Sequence, residues 1–416
     1  MSDLRPRSRR AAAARVSGIA RHGRLRKSSP WPALFKFLGA ALVVVLVSAA
    51  SVSGIVLNNI SAKIQSNSIQ LPSETEGPIP QIGAIKGGFN ILVVGSDQCE
   101  QWDGCAGPGD RGSGKLNDVT MLLHVSEDQT NAVAVSFPRD LVVPIPSCPN
   151  EEGTGSSGAM SGQPINVTLS YGGLACTVLT VEALTDLDIQ FAGLVTFKGV
   201  IAMTNAVGGV DVCLANDLDD DYAKIHMKAG THTLAGKDAL AFLRARHGVG
   251  DGSDLTRISS QQVYLSSLVR TLKAKETLTD VSKVLGIAQA AANNMQLSSS
   301  LASLDTMTSV ALALKDIPLE NVTFVQYPGT TGQGGIYSGK VMPLQGKADA
   351  LFDYIKSDEP FKLANTTDGI GATIDPNAEE EETPSTSTAT PADTADLPTL
   401  DIRGQTAADK TCSKPR

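Results

Sequence analysis

Three short apolar runs frame this chain, at residues 89–95, 119–125 and 132–137. Each is continuous rather than alternating and too short for a helix, the pattern of central strands covered on both faces. Further strands are expected at 191–197 and 322–327, and one more where Val207-Gly208-Gly209 turns into Val210-Asp211-Val212. Helical spacing predicts helices over 177–187, 198–207, 235–245, 257–275, 279–294, 301–315 and 344–357. This irregular alternation predicts an α/β fold, a mixed central β-sheet flanked by helices in αβα layers, rather than a strictly doubly wound one.

One apolar run is different. Residues 37–57 carry no charge for 21 positions, which at ~1.5 Å per residue spans a hydrocarbon core of ~30 Å. Residues 1–36 hold ten basic side chains against Asp3 alone, so the overall net charge of −8 leaves −17 for residues 37–416. A basic flank stays cytoplasmic, and a 36-residue lead is long for a cleavable signal. The expectation is a single-pass transmembrane helix with the acidic body outside the membrane. The plan that follows is a basic cytoplasmic tail (1–36), an anchor (37–57), a polar stalk (58–84), a catalytic domain (85–361) and a disordered acidic, Ser/Thr/Pro-rich tail (362–416).

Aromatics make up only 4% of the chain, which argues against a sugar-stacking groove or a nucleic-acid platform of exposed rings. The six cysteines contain no C-x-x-C pair, so a zinc site is poorly supported. Outside the cytoplasm disulfides are their natural use. Spacing suggests Cys99–Cys105 closing a short loop and Cys148–Cys176 tying down a Gly/Ser-rich excursion.

Four segments place charge at the ends of predicted elements. Gly95-Ser96-Asp97 puts a carboxylate at the carboxyl edge of a sheet, where open αβ folds bind ligands; an N-cap or Asx-turn is the plainer use. Asn117-Asp118 opens the next strand after the loop 104–114. Two such acids could share a hard cation, since magnesium takes one or two carboxylates and completes its shell with water and phosphate. Phe137-Pro138-Arg139-Asp140 ends a third strand and presents Arg139 at that edge, unless it is only a surface ion pair. In the last segment Arg244 and Arg246 leave a helix end on diverging faces, while Arg257 and Gln261 lie one turn apart. Guanidiniums gathered at one spot suit a phosphate, whose oxygens match their fork; a solvated basic face is the alternative.

These motifs together resemble the LytR–CpsA–Psr family of bacterial cell-envelope proteins over roughly residues 88–265. The resemblance rests on NILVVGSD (90–97), NDVTMLL (117–123), AVSFPRD (134–140), YGG (171–173), VGGVDV (207–212), the glycine-spaced stretch at 230–240, and RAR followed by D-x-x-R-x-x-x-QQ (244–262). The chain departs from the family pattern at Cys99, Ser260 and Pro164-Ile165-Asn166. The resemblance implies transfer of a glycopolymer from a polyprenyl-pyrophosphate carrier onto peptidoglycan, assisted by magnesium (manganese the alternative) and needing no external energy. Arabinogalactan is among the cargoes of actinobacterial relatives, whose long basic N-termini are similar to this one. Carried over by motif, Asp97 and Asp118 would hold the metal. Arg139, Arg244, Arg246 and Arg257, with Gln261, would hold the pyrophosphate, and Asp97 joins the arginines as a catalytic group. The implied partners are the lipid-linked glycan, peptidoglycan and the cytoplasmic membrane, with no nucleic acid. Competing readings are a pyrophosphatase acting on the carrier, a membrane-bound transcriptional regulator and a non-catalytic wall-binding scaffold.

Overall fold

The computed structural model describes residues 31–72, 87–98, 115–151, 154–274, 281–365, 367, 370–378 and 397–416. The chain divides into two compact units, Met1–Val56 and Leu57–Arg416. In the first, helix α1 (Trp31–Ser66) begins, and its apolar stretch Leu34–Ser48 leaves Phe35, Phe37, Leu42 and Val45 more than half exposed.

In the second unit, the end of α1 is part of the body. Ile60 and Ile64 pack with Ala292, Leu297 and Ala302, and Ile69 bridges to Ser298. This corrects the expected stalk over residues 58–72: a polar stretch with isoleucines four apart makes a one-sided helix that can be buried. Residues 73–84 lie outside the described residues.

The main sheet has eight strands: β1 (Phe89–Ser96), β2 (Asn117–Val125), β3 (Ala132–Phe137), β4 (Phe191–Thr196), β7 (Met295–Leu297), β8 (Val322–Gln326), β9 (Lys362–Asn365) and β11 (Thr399–Thr406), in the order β7-β4-β1-β2-β3-β8-β11-β9. Successive side chains of a strand face opposite ways, and both faces are covered here. Leu92, Val94, Leu122 and Val135 pack with α2 (Thr168–Thr185) and α8 (Gln345–Lys356). Phe89, Ile91, Ala134 and Phe324 face α7 (Leu304–Asp316) and the apolar side of α5 (Asp254–Lys273). The expected αβα layering is present. By length and composition Ile165–Thr185 could cross a membrane, but Leu169, Leu174, Val178 and Val181 are buried against the sheet, so we read it as a core helix.

A smaller sheet, ordered β6-β5-β12-β10, joins β5 (Val210–Leu214), β6 (Gly230–Leu234), β10 (Ala372–Ile374) and β12 (Thr411–Ser413). It packs on α4 (Gly236–Arg244) and the other side of α5 through Val212, Phe242, Val263 and Tyr264. Helices α3 (Phe197–Val207) and α6 (Val281–Asn294) complete the unit. The start of α2 is kinked at Gly172 and Gly173, the latter at φ +64°. A Cβ on Gly172 would come within 2.4 Å of the Pro149 carbonyl oxygen, so the YGG motif lets the helix close on the Cys148 loop.

The structure forms the expected Cys148–Cys176 bond and adds Cys213–Cys412; the Cys99–Cys105 pair lies outside the described residues. The expectation of disorder from 362 onward is corrected for the described parts of that stretch. Residues 397–416 supply β11 and β12 as interior strands of the two sheets, while the low-hydrophobicity average came from residues 379–394, a different stretch. Leu400, Ile402 and Gly404 alternate as a strand requires. If the last strand is structural, the double variant Cys213→Ser/Cys412→Ser should lose about 2–5 kcal/mol in denaturant unfolding. An unchanged midpoint would contradict that.

Candidate functional site

Strands β1 and β4 are parallel, β3 and β8 are parallel, and β2 runs antiparallel between β1 and β3. Four carboxyl ends therefore share one edge of the main sheet with the start of β2. Asp97 follows β1, Asp118 is the second residue of β2, Arg139 follows β3 after Pro138 ends the ladder, and Phe197 follows β4. The ladder slips between Gly95 and Ser96, and Asp97 Oδ1 accepts from the Leu116 N–H at 3.0 Å, so its carboxylate ties the two strand ends together.

Asp118, Arg139, Asp254 and Arg257 close into a ring. Arg139 Nη1 donates to Asp118 Oδ1 at 2.6 Å, and the Arg139 backbone N–H donates to Asp254 Oδ2 at 2.8 Å. Arg257 Nη2 lies 2.6 Å from Asp254 Oδ1 and donates to the Asp118 carbonyl oxygen at 2.9 Å. The first of these Arg257 contacts is close but off the hydrogen-bond direction, leaving Asp254 Oδ1 without a directed bond; we count it as Coulombic. The ring has two levels. The Arg139 and Asp118 side chains are 28% and 21% exposed, those of Arg257 and Asp254 only 6% and 2%. The outer pair can meet a ligand, and the inner pair holds the strands under it. Arg139 Nε lies 3.8 Å from Asp140 Oδ2, and neither it nor Arg257 Nε makes a hydrogen bond among the described residues. The part of Arg139 that reaches solvent, beside a sheet edge, suits an added anion.

Burial opposes the charge on Arg139, but Asp118, Asp254 and Asp140 outweigh it and raise its pKa above the ordinary arginine value. Asp140 is buried and salt-bridged to Lys340 Nζ at 2.8 Å. Burial pushes its carboxyl up, yet Lys340, Arg139 and Arg246 together hold it below the usual carboxylate range. Arg246 is thus brought within electrostatic reach of the Arg139–Asp140 corner. Its Nε donates to the Gly252 carbonyl oxygen, and its backbone N–H donates to Asp220 Oδ2. Arg244 lies over the Phe197 ring, 4.6 Å from its centroid, which sets it at the end of β4 by a cation–π contact. Gln261 turns elsewhere: its amide nitrogen donates to the Leu243 carbonyl oxygen, so it steadies the end of α4 beside Arg244.

Asp97 and Asp118 stand on neighbouring strand ends, each giving one carboxylate oxygen to a protein donor, Asp97 Oδ1 to the Leu116 N–H and Asp118 Oδ1 to Arg139; carboxylates are the ligands magnesium takes from a protein. Among the described residues no third acid, histidine or cysteine joins them at ligand spacing, so the rest of a shell there would come from water and phosphate. Sequence reasoning gave no role to Asp254, Lys340 or Asp220. The signals for Asp254 were its place three residues before Arg257 in one helix and at the head of the D-x-x-R-x-x-x-QQ motif. Lys340 and Asp220 reach the site across long separations that no local pattern records. The loop 104–114 lies outside the described residues.

A model of the LytR_cpsA_psr family matches residues 53–356. The cell wall biosynthesis protein LcpA of Corynebacterium glutamicum is 30% identical over 284 residues, covering 63% of this chain and 54% of the relative. This chain thus spans about half that relative's length. The Bacillus subtilis protein named polyisoprenyl-teichoic acid–peptidoglycan teichoic acid transferase TagT is 26% identical, covering 62% of this chain and 75% of the relative. The crystal structure of TagV from the same bacterium superposes with a TM-score of 0.51 at 23% identity, over 66% of this chain and 99% of that one; this is a likeness of fold.

The Asp140 carboxyl gives a pH prediction. A carboxyl with a depressed folded pKa stabilises the fold above its unfolded value, near 3.8, and that contribution is lost as pH falls through the lower folded value. Asp140→Asn should therefore lower stability at pH 7 and flatten the further loss in urea unfolding below about pH 4. Equal acid slopes in the two proteins would refute the assignment.

Proposed function

This chain belongs to the LytR–CpsA–Psr family, and on that premise we propose that it transfers a cell-wall glycopolymer from a polyprenyl-pyrophosphate carrier onto peptidoglycan. The observation that carries this reading is the shared carboxyl edge: Arg139 is paired with Asp118 next to the strand end of Asp97, Arg244 sits at the end of β4, and Arg246 reaches the Asp140 corner. Arg257 is locked beneath them. The name of TagT, with a polyisoprenyl-linked donor and a peptidoglycan acceptor, supports the substrate classes.

A peptidoglycan sugar hydroxyl attacks the phosphorus that bears the glycan, and the bond from that phosphorus to the bridging oxygen breaks. Polyprenyl phosphate leaves. A phosphoanhydride P–O bond breaks as a phosphodiester P–O bond forms, so the activated carrier itself supplies the driving force. Such a reaction needs positioning and charge neutralisation more than covalent catalysis. Arg139 and its neighbours supply both, already oriented by the ring of ion pairs. The acceptor's proton has Asp97 and Asp118 as the two carboxylates at these strand ends to receive it. Asp97 and Asp118 would also hold magnesium, which when bound adds its charge to the neutralisation of the phosphates.

The exposed apolar surface of α1 supports an anchor crossing the membrane, with the basic residues of 1–36 on the cytoplasmic side and the body outside. A lipid-linked donor would then lie in the membrane that holds the enzyme.

Arg139→Ala should lower transfer at least about 100-fold while leaving a cooperative melt. The assay follows radiolabelled glycan from lipid to wall fragments. Undiminished transfer would refute the role of Arg139. Polyprenyl phosphate released equally fast without wall fragments would favour a pyrophosphatase in place of the transferase.

A further inference from the structure

The carboxyl edge continues past Arg139 into a cavity that the reaction above does not use. It has a volume of about 560 Å³ and opens where β8 ends, at Gln326, Tyr327 and Pro328, between the start of β11 and α8. Ser136 on β3 pairs with Gln326 on β8, and the Tyr327 N–H donates to the Ser136 carbonyl oxygen. Adjacent strands lie ~4.8 Å apart, so β8 and β11 place this cavity roughly 5–10 Å along the edge from the strand of Arg139. That is the reach of a short saccharide. Arg403, one of its walls, lies within electrostatic reach of Asp251, which stands in the same loop as Arg246.

The lining is polar but close to neutral. Lys347 and Asp401 pair with each other at 2.7 Å, and the charge of Arg403 faces Asp251, so little net charge remains to attract an anion. Thr330 and Asn365 add neutral hydrogen-bonding groups, while Leu344 and Ile402 give small apolar surfaces. Two further lining residues, Gln326 and Tyr327, form a fixed wall: the Gln326 amide donates to the Leu255 carbonyl oxygen and the Ser259 hydroxyl of α5, and the Tyr327 ring packs against Phe137 and Phe352. Burial, with Asp349 nearby, pushes the Tyr327 phenol up to about 12, so this wall adds no charge. Neutral polar groups interleaved with small apolar faces match a sugar, with its hydroxyl edge and C–H faces. The binding would rest on hydrogen bonds rather than ring stacking, in keeping with a chain poor in aromatics.

We propose that this cavity is a saccharide subsite that holds a sugar beside the phosphate-binding arginines. The proposal rests on the transferase reading for its role, and the sugar can come from the wall acceptor or from the donor glycan. The full chain is tested by calorimetry with two probes: uncrosslinked glycan fragments released from peptidoglycan by a muramidase, and the polyprenyl-pyrophosphate-linked glycan. Polyprenyl pyrophosphate without sugar is the reference ligand. Asn365→Ala and Arg403→Ala, both exposed, should weaken one saccharide probe about fivefold and leave the reference unchanged. Lys356→Ala, outside the cavity, should alter neither. Weakening confined to the wall fragments assigns the subsite to the acceptor, and weakening confined to the lipid-linked glycan assigns it to the donor. If both probes bind the cavity variants as they bind the parent chain, the subsite is refuted even where transfer is intact. If the variants lose saccharide binding but the parent chain transfers nothing, the subsite stands and the transferase reading falls.

Discussion

A ring of two carboxylates and two arginines holds β2, β3 and α5 together at the carboxyl edge of the main sheet. Asp254 and Arg257 are almost fully buried. Charges taken out of water at that depth are tolerable only with partners, and removing one of a buried pair typically costs about 3–5 kcal/mol. The ring therefore constrains more than it stabilises. It fixes the start of α5 against the strand ends and sets the orientation of the partly exposed Arg139. A preset guanidinium needs little reorganisation when charge develops next to it.

The topology explains why distant segments supply this one place. Parallel pairing of β1 with β4 and of β3 with β8 brings four carboxyl ends to one side, where loops are free to carry charge. The smaller sheet serves the same edge from the flank. The Asp220 carboxylate accepts from the backbone N–H groups of Tyr222, Ala223, Arg246 and Gly248. Burial pushes its carboxyl up, but those backbone donors outweigh burial and hold it below the usual range. The chain end braces the same loop, as Gly250 N–H donates to the Lys414 carbonyl oxygen and Arg416 N–H to that of Gly248. The loop of Arg246 is thus held by Asp220 and by the segment that follows β12.

Much of this architecture was legible along the chain because burial on both faces writes itself as continuous apolar runs. The strand at 132–137 falls where its pattern puts it, and β1 and the helices α3, α4 and α8 begin and end within about two residues of their expected limits. The candidate arginines were legible as charges that interrupt apolar elements. What stayed hidden was long-range. Nothing near Asp220 signals that it will grip Arg246, and Lys340 stands 200 residues from Asp140. Helix α2 starts well before 177: Gly172 and Gly173, just past its first turn, read as a loop until the neighbouring Cys148 segment shows what they make room for. Residues 397–416 were averaged with an acidic stretch and so lost their strand pattern.

The most direct test is a crystal structure of the chain bound to polyprenyl pyrophosphate. The account predicts phosphate oxygens within hydrogen-bonding distance of the Arg139, Arg244 and Arg246 guanidiniums, above an intact Asp254–Arg257 pair. A diphosphate seated elsewhere, with Arg139 still engaged only by Asp118, would contradict it.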